Sequence, residues 1–465
     1  MKTIALLGGL AACAVAGGGV SAKEFPLTFK TLTVEEAAVF PGGAGAFAQL
    51  LATKPPELKR EPPGASGQSL YGVIGRGGGT QGMVFRLDAT AGEDSGHDVL
   101  LLDLNLNGDL TDDAAIKLAG TPKITRSASM AYEFSWYGPI TAPAASRIAQ
   151  GTPVYYAQLN YYHTAGTSTT AGGITQPYLG TLRLRPGFCL ETTVSWGGPG
   201  QKIGIVDGNA NFRLGDEAKP VISKVAKDPT WYFPPADNFL VDRNGSGKFE
   251  ADRLDTETQP FGPMLTLGAT SFRAKLTANC AALDLEPWSG APASVALQPS
   301  GTQVRDVTFA WERAPKDWVL LKTSVTQGRA SVPPGVLCFN GCVLEVQTRD
   351  GSPLLLVGSY RKMDKALRAT AGQTATFACG GPLELQLTAT KRKLSGVAGA
   401  SAVSRSVRPA TETVVDLQAE ILGRAGETYG TLLAGKNLTS SPPPPKFTIT
   451  TRDGRQVASG SLEYG

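Results

Sequence analysis

Histidine is nearly absent from this chain, since His97 and His163 are the only two among its 465 residues. Zinc sites of the His-x-x-x-His type are therefore excluded, and the sequence also lacks a Walker loop and a Gly-x-Ser-x-Gly nucleophile elbow. His97 has Ser95 and Asp98 as sequence neighbours, but catalytic triads are assembled across a fold and not along a sequence. We expect residues 93–98 to form a solvated loop and the chain not to be an enzyme.

Strong net charge and long internal hydrophobic runs are absent as well. The formal net charge is +4, and the charged residues are dispersed along the chain, which gives no basis for a nucleic-acid partner. After the N-terminal region, no stretch approaches the ~20 consecutive apolar residues that a transmembrane helix needs. We therefore expect neither a nucleic-acid partner nor a transmembrane span.

The N-terminal region has the pattern of a secretory signal peptide. Lys2 precedes an apolar run of small residues, and Val20-Ser21-Ala22 is a small-x-small cleavage pattern, so residues 1–22 are predicted to be removed. A second interpretation is open, because Leu10-Ala-Ala-Cys13 matches a lipobox that would leave Cys13 lipidated. Either way we expect an exported protein in the periplasm, at the cell surface or outside the cell.

Cysteine usage after Ala22 favours disulfides over metal thiolates in an oxidising compartment. Cys189 and Cys280 lie in strand-like segments at the two ends of one predicted β region and are expected to form a disulfide. Cys338-Phe-Asn-Gly-Cys342 fits a hairpin with a three-residue loop that would set these two cysteines opposite each other, or a two-residue Asn340-Gly341 turn that would offset them. The count after cleavage is odd, so one thiol is left over. The five cysteines are Cys189, Cys280, Cys338, Cys342 and Cys379.

Glycine and proline are abundant, with 56 and 32 copies spread between short apolar runs. This composition predicts an all-β protein of several β-sandwich or Ig-like modules joined by turns. Alternating residues 180–185 predict a half-buried strand, and Thr33 with Glu36 predicts the start of a short helix. The expected divisions are a signal peptide (1–22), an N-terminal segment and linker (23–66), two β modules (67–130 and 131–290), an Ig-like sandwich (291–390) and a C-terminal sandwich (391–465).

An internal repeat is the strongest signal in the sequence. Three acidic loops follow apolar strand-like runs, and each has an Asp at position one, oxygen side chains at positions three and five, an apolar residue at position eight and an acid at position eleven. The loops start at Asp103, Asp207 and Asp242. Their candidate ligands are Asp103, Asn105, Asn107, Asp109 and Asp113; Asp207, Asn209, Asn211 and Glu217; and Asp242, Asn244, Ser246, Lys248 and Asp252.

This spacing is typical of an EF-hand-like calcium loop. Calcium takes six to eight oxygen ligands, side chains at alternate positions converge on one point, and glycine at position six permits the turn. Here strands precede the loops and the acid falls at position eleven, so the loops are strand-associated relatives of the EF-hand. The alternative is a metal-free turn, because Asp and Asn also bond their own backbone. We expect weak, structural calcium binding of about 10⁻⁴–10⁻³ M, with the first and third loops better than the second, where Phe212 replaces the glycine.

The same loops resemble an uncharacterised family of secreted bacterial β proteins. The resemblance is carried by Asn107-Gly-Asp-Leu-Thr-Asp112, by the paired second and third loops, and by the closing stretch 453–465, and it covers about residues 67–465. It implies strand-associated EF-hand-like loops and a C-terminal β-sandwich, but no activity.

Function is predicted from these features as structural or adhesive, with a cell-surface glycan or an envelope protein as partner. The alternative is a carbohydrate-binding protein or a glycan-processing enzyme that uses two carboxylates. Trp231-Tyr232-Phe233 would then present an aromatic platform to a sugar, whereas core packing is the competing interpretation of these rings. Exposure of Trp231 beside a carboxylate would favour the sugar platform.

Overall fold

A computed structural model describes residues 22–462 of the chain, apart from 42–44, 65–68, 76–81, 93–94, 127–129, 165–167, 172–173, 178, 197, 224–229, 250–256, 269, 349–350, 394–412, 435–443 and 445. The predicted signal peptide up to Ser21 and the alternative lipidation site Cys13 therefore lie outside the described residues. So does Asp252, the last candidate ligand of the third loop.

The predicted all-β class is confirmed. One α-helix is described, α1 (Val34–Val39), with short 3₁₀ turns at Ala144–Ser146 and Ala278–Cys280. The predicted helix start is correct: Thr33 Oγ1 accepts the Glu36 N–H, and the Glu36 carboxylate accepts the Thr33 N–H. In the described part of the chain, no helix has the length and apolar character needed to cross a membrane.

The strands of residues 23–287 form four larger sheets and two hairpins, numbered here in chain order. The larger sheets are β1 (Lys23–Pro26), β22 (Ala282–Pro287), β21 (Thr270–Leu276) and β20 (Met264–Leu267); β3 (Ala46–Gln49), β13 (Gly180–Pro186), β10 (Val154–Thr164), β9 (Met130–Thr141) and β8 (Lys123–Arg126); β19 (Thr258–Pro260), β18 (Asn238–Val241), β15 (Gln201–Val206), β14 (Phe188–Val194) and β2 (Thr28–Thr31); and β4 (Leu70–Ile74), β5 (Met83–Asp88), β6 (Val99–Leu102) and β7 (Ile116–Lys117). The hairpins are β11 (Ser168–Ala171) with β12 (Ile174–Pro177), and β16 (Val221–Ser223) with β17 (Thr230–Tyr232).

The C-terminal strands form one large sheet and a separate hairpin. In spatial order the sheet contains β30 (Thr374–Phe377), β23 (Ala293–Leu297), β26 (Arg329–Val332), β25 (Asp317–Thr326), β24 (Gln303–Ala314), β27 (Gly335–Gln347), β28 (Pro353–Ser359), β33 (Thr428–Leu433), β32 (Thr413–Leu422) and β31 (Glu384–Lys393), with β29 (Ala366–Ala369) paired to β27. The hairpin is β34 (Lys446–Thr450) with β35 (Gln456–Ser461). The expected boundary between residues 390 and 391 falls inside β31.

The N-terminal segment 23–66 is built into the central sheets. β1 pairs with β22, β2 with β14 and β3 with β13, all antiparallel. Leu58, from the stretch interpreted as a linker, is buried in a cluster with Val84, Val99, Leu101 and Leu110. The N-terminal segment therefore contributes one strand to each of three sheets whose other strands come later in the sequence.

Alternation along β13 confirms the predicted half-buried strand. Leu182 and Leu184 are fully buried, while Thr181, Arg183 and Arg185 between them are half-buried. Inward side chains of this kind form three main cores, two in residues 25–285 and one in the C-terminal sheet.

The predicted disulfides are wrong for this structure. All five described cysteines are free, buried thiols. Cys189 lies in a small cluster with Val206 and Leu240, whereas Cys280 belongs to a different core. The expected Cys189–Cys280 pair therefore does not form. A strand-like sequence around each cysteine predicts two strands, but it does not predict which side chains of those strands lie close together.

The predicted hairpin between Cys338 and Cys342 is wrong as well. Both cysteines lie in the single strand β27, and the register against β24 shifts at this point, so that Asn340 is an extra bulged residue. The Asn340 carbonyl accepts the Tyr360 N–H at 2.6 Å, and its Nδ2 donates to the Tyr360 carbonyl at 3.3 Å. Gly341 serves a close approach and not a turn, since a Cβ there would lie 2.3 Å from the Gly358 carbonyl oxygen.

Gly341→Ala tests this interpretation of the glycine. We expect a loss of about 1–3 kcal/mol in the free energy of unfolding, because the added methyl group forces β27 away from β28. Gly430→Ala in β33 of the same sheet is the control, since a Cβ there meets no atom within 4 Å. Urea unfolding followed by circular dichroism measures both; equal stability of the two variants would contradict the close approach.

Candidate metal sites in three loops

Each acidic loop begins where a strand ends in the interior of the molecule. Asp103 follows β6, Asp207 follows β15 and Asp242 follows β18, and their exposed fractions are 2%, 0% and 5%. A carboxylate in such a place must have its charge stabilised by hydrogen bonds or by a cation, because burial removes it from water.

The three loops share one hydrogen-bond network, counted from the aspartate at position one. Its Oδ1 accepts the N–H of position five, its Oδ2 accepts the N–H of position six, the Oδ1 of position three also accepts the N–H of position five, and the side-chain oxygen of position five accepts the N–H of position seven. In this order the distances are 3.1, 2.9, 3.1 and 2.6 Å in the first loop, 3.2, 3.0, 3.1 and 2.9 Å in the second, and 3.0, 2.7, 2.8 and 3.3 Å in the third.

The backbone conformation is shared as well, including in the second loop. Position six has a positive φ in all three loops: 76° at Gly108, 67° at Phe212 and 79° at Gly247. Position four is also left-handed, at Leu106, Ala210 and Gly245. The phenylalanine that replaces glycine therefore does not prevent the turn, although the left-handed region costs a residue with a Cβ about 1–2 kcal/mol.

Core packing explains how Phe212 tolerates this conformation. Its side chain is 1% exposed, and its ring makes an edge contact with Tyr155 at a centroid distance of 4.6 Å. Position eight anchors the other loops similarly: Leu110 is fully buried, and Phe249 packs against Cys189, Val206 and Leu240.

In the first loop, the acid at position eleven has an unpartnered buried oxygen. Asp113 Oδ1 accepts the Leu104 N–H at 3.4 Å, whereas its Oδ2 is buried without a hydrogen-bond partner. Burial raises the pKa of Asp113 to about 6, and the nearby carboxylates of Asp103, Asp112 and Asp109 raise it further. Such an oxygen is suited to a cation.

Asp109, at position seven of the same loop, already has partners for both of its carboxylate oxygens. Its Oδ2 pairs with Arg60 at 3.0 Å and its Oδ1 accepts the Thr111 N–H at 2.9 Å. Lys59 and Arg60 also donate their backbone N–H groups to the Gly108 carbonyl. Residues 59–60 therefore fix the first loop in place through these hydrogen bonds and the ion pair.

Position ten carries an aspartate that the sequence pattern did not single out. Asp112 Oδ2 accepts the side-chain N–H groups of Asn105 and Asn107 at 3.2 and 2.8 Å. Asp216 Oδ2 does the same for Asn209, at 3.4 Å, and for Asn211 in the second loop. These aspartates orient the side-chain amides of positions three and five. The sequence feature that could have identified them is the Asp shared by the first and second loops at position ten.

The second loop has a different arrangement at position eleven. Glu217 turns to the C-terminal sheet, where Arg313 donates to both of its carboxylate oxygens at 2.8 and 3.0 Å. Asp237, which lies outside the loop pattern, instead accepts the backbone N–H groups of Gly215 and Asp216 at 2.6 and 2.9 Å. Tyr155 donates its hydroxyl to Asp207 at 2.6 Å.

A lysine lies beside the third loop. Lys202 Nζ donates to the Gly247 carbonyl at 3.3 Å and pairs with Glu191 at 2.8 Å. The Lys248 carbonyl, proposed as a ligand from the sequence, accepts the Ser246 hydroxyl at 3.1 Å. The first loop has a similar contact, since Lys59 Nζ donates to the Asn107 carbonyl at 2.8 Å, so a basic group lies next to the backbone of both loops.

Carboxylates alone do not make a metal site in these loops. Within the described ranges, no three His, Cys, Asp or Glu side chains are grouped closely enough to hold a metal ion. A cation would have to use the amide oxygens at positions three and five and a backbone carbonyl, as calcium does in oxygen-rich loops.

The core-packing interpretation of Trp231 is correct, and the alternative of a sugar-binding platform at this residue is wrong. Trp231 is 1% exposed and packs edge-on against Trp318 at 5.8 Å and beside Phe233 at 5.6 Å. Its backbone N–H donates to the Arg361 carbonyl at 2.9 Å. Bulky rings in a connecting segment are more often buried than presented to a ligand.

His97 is not in a solvated loop, as was expected, but is buried with an exposure of 7%. Its Nδ1 lies 2.8 Å from Glu133 Oε2, and its N–H donates to Glu133 Oε1 at 2.9 Å. Asp98 instead accepts the Thr90 N–H at 2.7 Å. Ser95, His97 and Asp98 are therefore not assembled as a triad, and His97 fastens this loop to β9.

A cleft of about 1010 Å³ lies beside the second loop. Its lining includes Leu214, Glu217, Arg273, Glu286, Trp288 and Arg313. Two of its carboxylates have cationic partners: Glu217 pairs with Arg313 at 2.8 Å, and Glu286 pairs with Arg273 at 3.9 Å. An acid or a nucleophile at either position would first have to give up its ion pair.

Comparisons with protein-family models, with curated proteins and with solved structures give no match to this chain. The interpretation of the loops therefore depends on their own geometry.

Phe212→Gly tests whether the second loop depends on glycine-like freedom or on the buried ring. Loss of a core phenylalanine costs about 3–5 kcal/mol, whereas relief of the left-handed conformation returns about 1–2 kcal/mol. We therefore expect Phe212→Gly to lower the free energy of unfolding by about 2 kcal/mol.

Ala210→Gly is the matched control for this substitution. It relieves the same backbone conformation at position four and removes only one methyl group, so its effect should stay within about 1 kcal/mol. Urea unfolding measures both variants. A Phe212→Gly protein as stable as the wild type would show that the ring does not anchor the loop.

Proposed function

We propose that this chain is an exported, non-catalytic, multi-domain β protein with a structural or adhesive role, in which calcium bound by the acidic loops stabilises the modules. The observation that carries this proposal is the shared network of the three loops around a buried aspartate. Three separate segments adopt the same left-handed positions and turn the N–H of position six toward the buried aspartate at position one.

The metal-free turn explains the backbone hydrogen bonds of these loops but not all of their carboxylate oxygens. Asp113 Oδ2 in the first loop and Asp237 Oδ1 beside the second are buried without a partner. A carboxylate with a buried, unpartnered oxygen costs several kcal/mol when it is ionised, and either protonation or a bound cation removes this cost. A hard cation that prefers oxygen would keep both carboxylates ionised and give their free oxygens a partner that the turn alone does not provide.

The residues that would hold calcium differ between the loops. The first loop offers Asp103, Asn105, Asn107 and Asp113, and the second offers Asp207, Asn209 and Asn211 with a backbone carbonyl. The third offers Asp242, Asn244, Ser246 and the Lys248 carbonyl, with Asp252 outside the described residues. Calcium would supply positive charge at the strand ends, and no chemical step is implied.

Binding at the second loop would also support the contact between the central and C-terminal sheets. Glu217 pairs with Arg313 of β24, and the Leu320 N–H of β25 donates to the Ala218 carbonyl at 3.0 Å. A fixed second loop therefore holds two modules together. Holding modules in fixed positions is a property expected of a structural or adhesive protein. The proposed partner of this protein is a cell-surface glycan or an envelope protein.

Carbohydrate binding is the second candidate function, because the cleft beside the second loop is large and has Trp288 in its wall. The Arg273 guanidinium lies 5.0 Å from the Trp288 ring centre, so one face of this ring is occupied. Saturable binding of a polysaccharide that is lost in Trp288→Ala would favour this candidate over a purely structural role.

Calcium should raise the stability of the full mature chain. At millimolar free calcium, a site of about 10⁻⁴ M stabilises the folded state by about 1.4 kcal/mol through mass action. Thermal unfolding in calcium and in chelator should therefore give different melting temperatures.

Asp103→Asn, Asp207→Asn and Asp242→Asn should each reduce this difference where the loop binds calcium, because each removes the charged ligand at position one. Asp98→Asn is the control, since its carboxylate is bonded to Thr90 outside the loops. Identical wild-type melting curves in calcium and in chelator would establish the turn-only interpretation for all three loops.

Export is part of the proposal, supported by the N-terminal pattern alone. Signal-peptide cleavage after Ala22 predicts a secreted protein that begins at Lys23. Mass spectrometry of the protein recovered from a secreting host measures this terminus. A diacylglyceryl-modified Cys13 would instead establish the lipoprotein form.

A further inference from the structure

Strand register brings a second carboxylate to the start of the second loop. In the antiparallel pair of β15 and β18, Val206 lies opposite Asn238. The next residue along β15 is Asp207, and the residue before Asn238 is Asp237, so the two aspartates face each other where the strands end. Like charges directly opposite each other in an antiparallel pair are destabilising.

One carboxylate oxygen of Asp237 is hydrogen-bonded, and the other has no partner. Its side chain is fully buried, and its Oδ2 accepts the N–H groups of Gly215 and Asp216. Its Oδ1 is buried and has no hydrogen-bond partner. The two N–H contacts fix the carboxylate against positions nine and ten of the loop and leave one oxygen free to bind.

Arg213, at position seven of this loop, has an exposed side chain, and two further basic side chains nearby are engaged with other acids. Arg313 pairs with Glu217 and Asp317, and Lys219 lies within 3.9 Å of the same two carboxylates. Burial and the neighbouring carboxylates raise the pKa of Asp237 well above its usual range. Among the described residues, the opposed Asp207 and Asp237 therefore have no cationic partner.

We propose that the second loop is a divalent-cation site in which Asp237 supplies a carboxylate ligand from outside the loop, together with Asp207 and the amide oxygens of Asn209 and Asn211. This proposal rests on the proposed calcium function and assigns its principal site. It reverses the order expected from sequence, in which Phe212 made the second loop the weakest candidate.

At the third loop the second acid is Glu257, which is buried and accepts the Arg243 N–H at 3.3 Å, and neither of its oxygens is buried without a partner as Asp237 Oδ1 is. The Asp242 N–H donates to the Lys202 carbonyl at 3.0 Å, so Lys202 occupies the place opposite Asp242 that Asp237 occupies opposite Asp207. The Lys202 ammonium contacts the loop backbone at Gly247. A positive charge beside the loop lowers its affinity for a cation, and the third loop should be the weaker site.

The experiment isolates the second loop in the full mature chain. In the background Asp103→Asn/Asp242→Asn, the first and third loops lose their position-one charge, and calcium affinity is measured by calorimetry after metal removal. Terbium luminescence excited through tyrosine is a second readout, because the Tyr155 hydroxyl is bonded to Asp207. We expect this background to keep saturable binding of both ions.

Asp237→Asn in this background should weaken calcium binding at least about tenfold, because one charged ligand is lost. The melting temperature without metal should not fall, since the substitution removes a buried like-charge contact. Asp207→Asn in the same background is a second variant and should give the same loss of affinity. Asp88→Asn is the matched control, because Asp88 is also buried but is paired with Arg86 at 2.7 Å.

The outcomes separate the two proposals. Unchanged calcium affinity in Asp237→Asn overturns the role of Asp237. Calcium binding by the wild type but not by the two-loop background overturns the site assignment and leaves the proposed function in place. A wild type that binds neither calcium nor terbium overturns both.

Discussion

The structure depends on a charged carboxylate buried at the end of a strand. An aspartate in this place costs several kcal/mol unless hydrogen bonds or a cation stabilise it. In each loop, the two backbone N–H groups at positions five and six are turned toward that carboxylate, and the left-handed residues at positions four and six allow this turn. What differs between the loops is the state of the nearby acids: Asp113 at the first loop and Asp237 at the second each have a buried oxygen without a hydrogen-bond partner, whereas Glu257 at the third loop has none.

The loops also connect elements that the sequence separates. The first loop is clamped by the 59–60 stretch, and the second bonds to the C-terminal sheet through Glu217 and Ala218. A cation that fixes a loop would therefore fix the placement of a neighbouring module as well. This coupling would link a local ionic interaction to the stability of a long β protein, and it is the basis of the structural role that we propose for calcium.

Sequence patterns could predict the parts of this architecture that are local. The repeat predicted the shared loops, and the Thr33–Glu36 spacing predicted the helix start. Features that depend on strand pairing could not be predicted. Asp237 is separated from Asp207 by 30 residues and reaches it only through the β15–β18 register. Cys338 and Cys342 suggested a hairpin because Asn-Gly favours turns, but a bulge at Asn340 uses the same residues within a strand.

The central claim is that these loops bind calcium, and its most direct test is calorimetric titration of the metal-stripped mature chain with calcium at physiological ionic strength. The account predicts saturable binding at one or more sites with dissociation constants at or below about 10⁻³ M. The absence of saturable heat at calcium concentrations well above about 10⁻³ M would contradict it and leave the loops as metal-free turns.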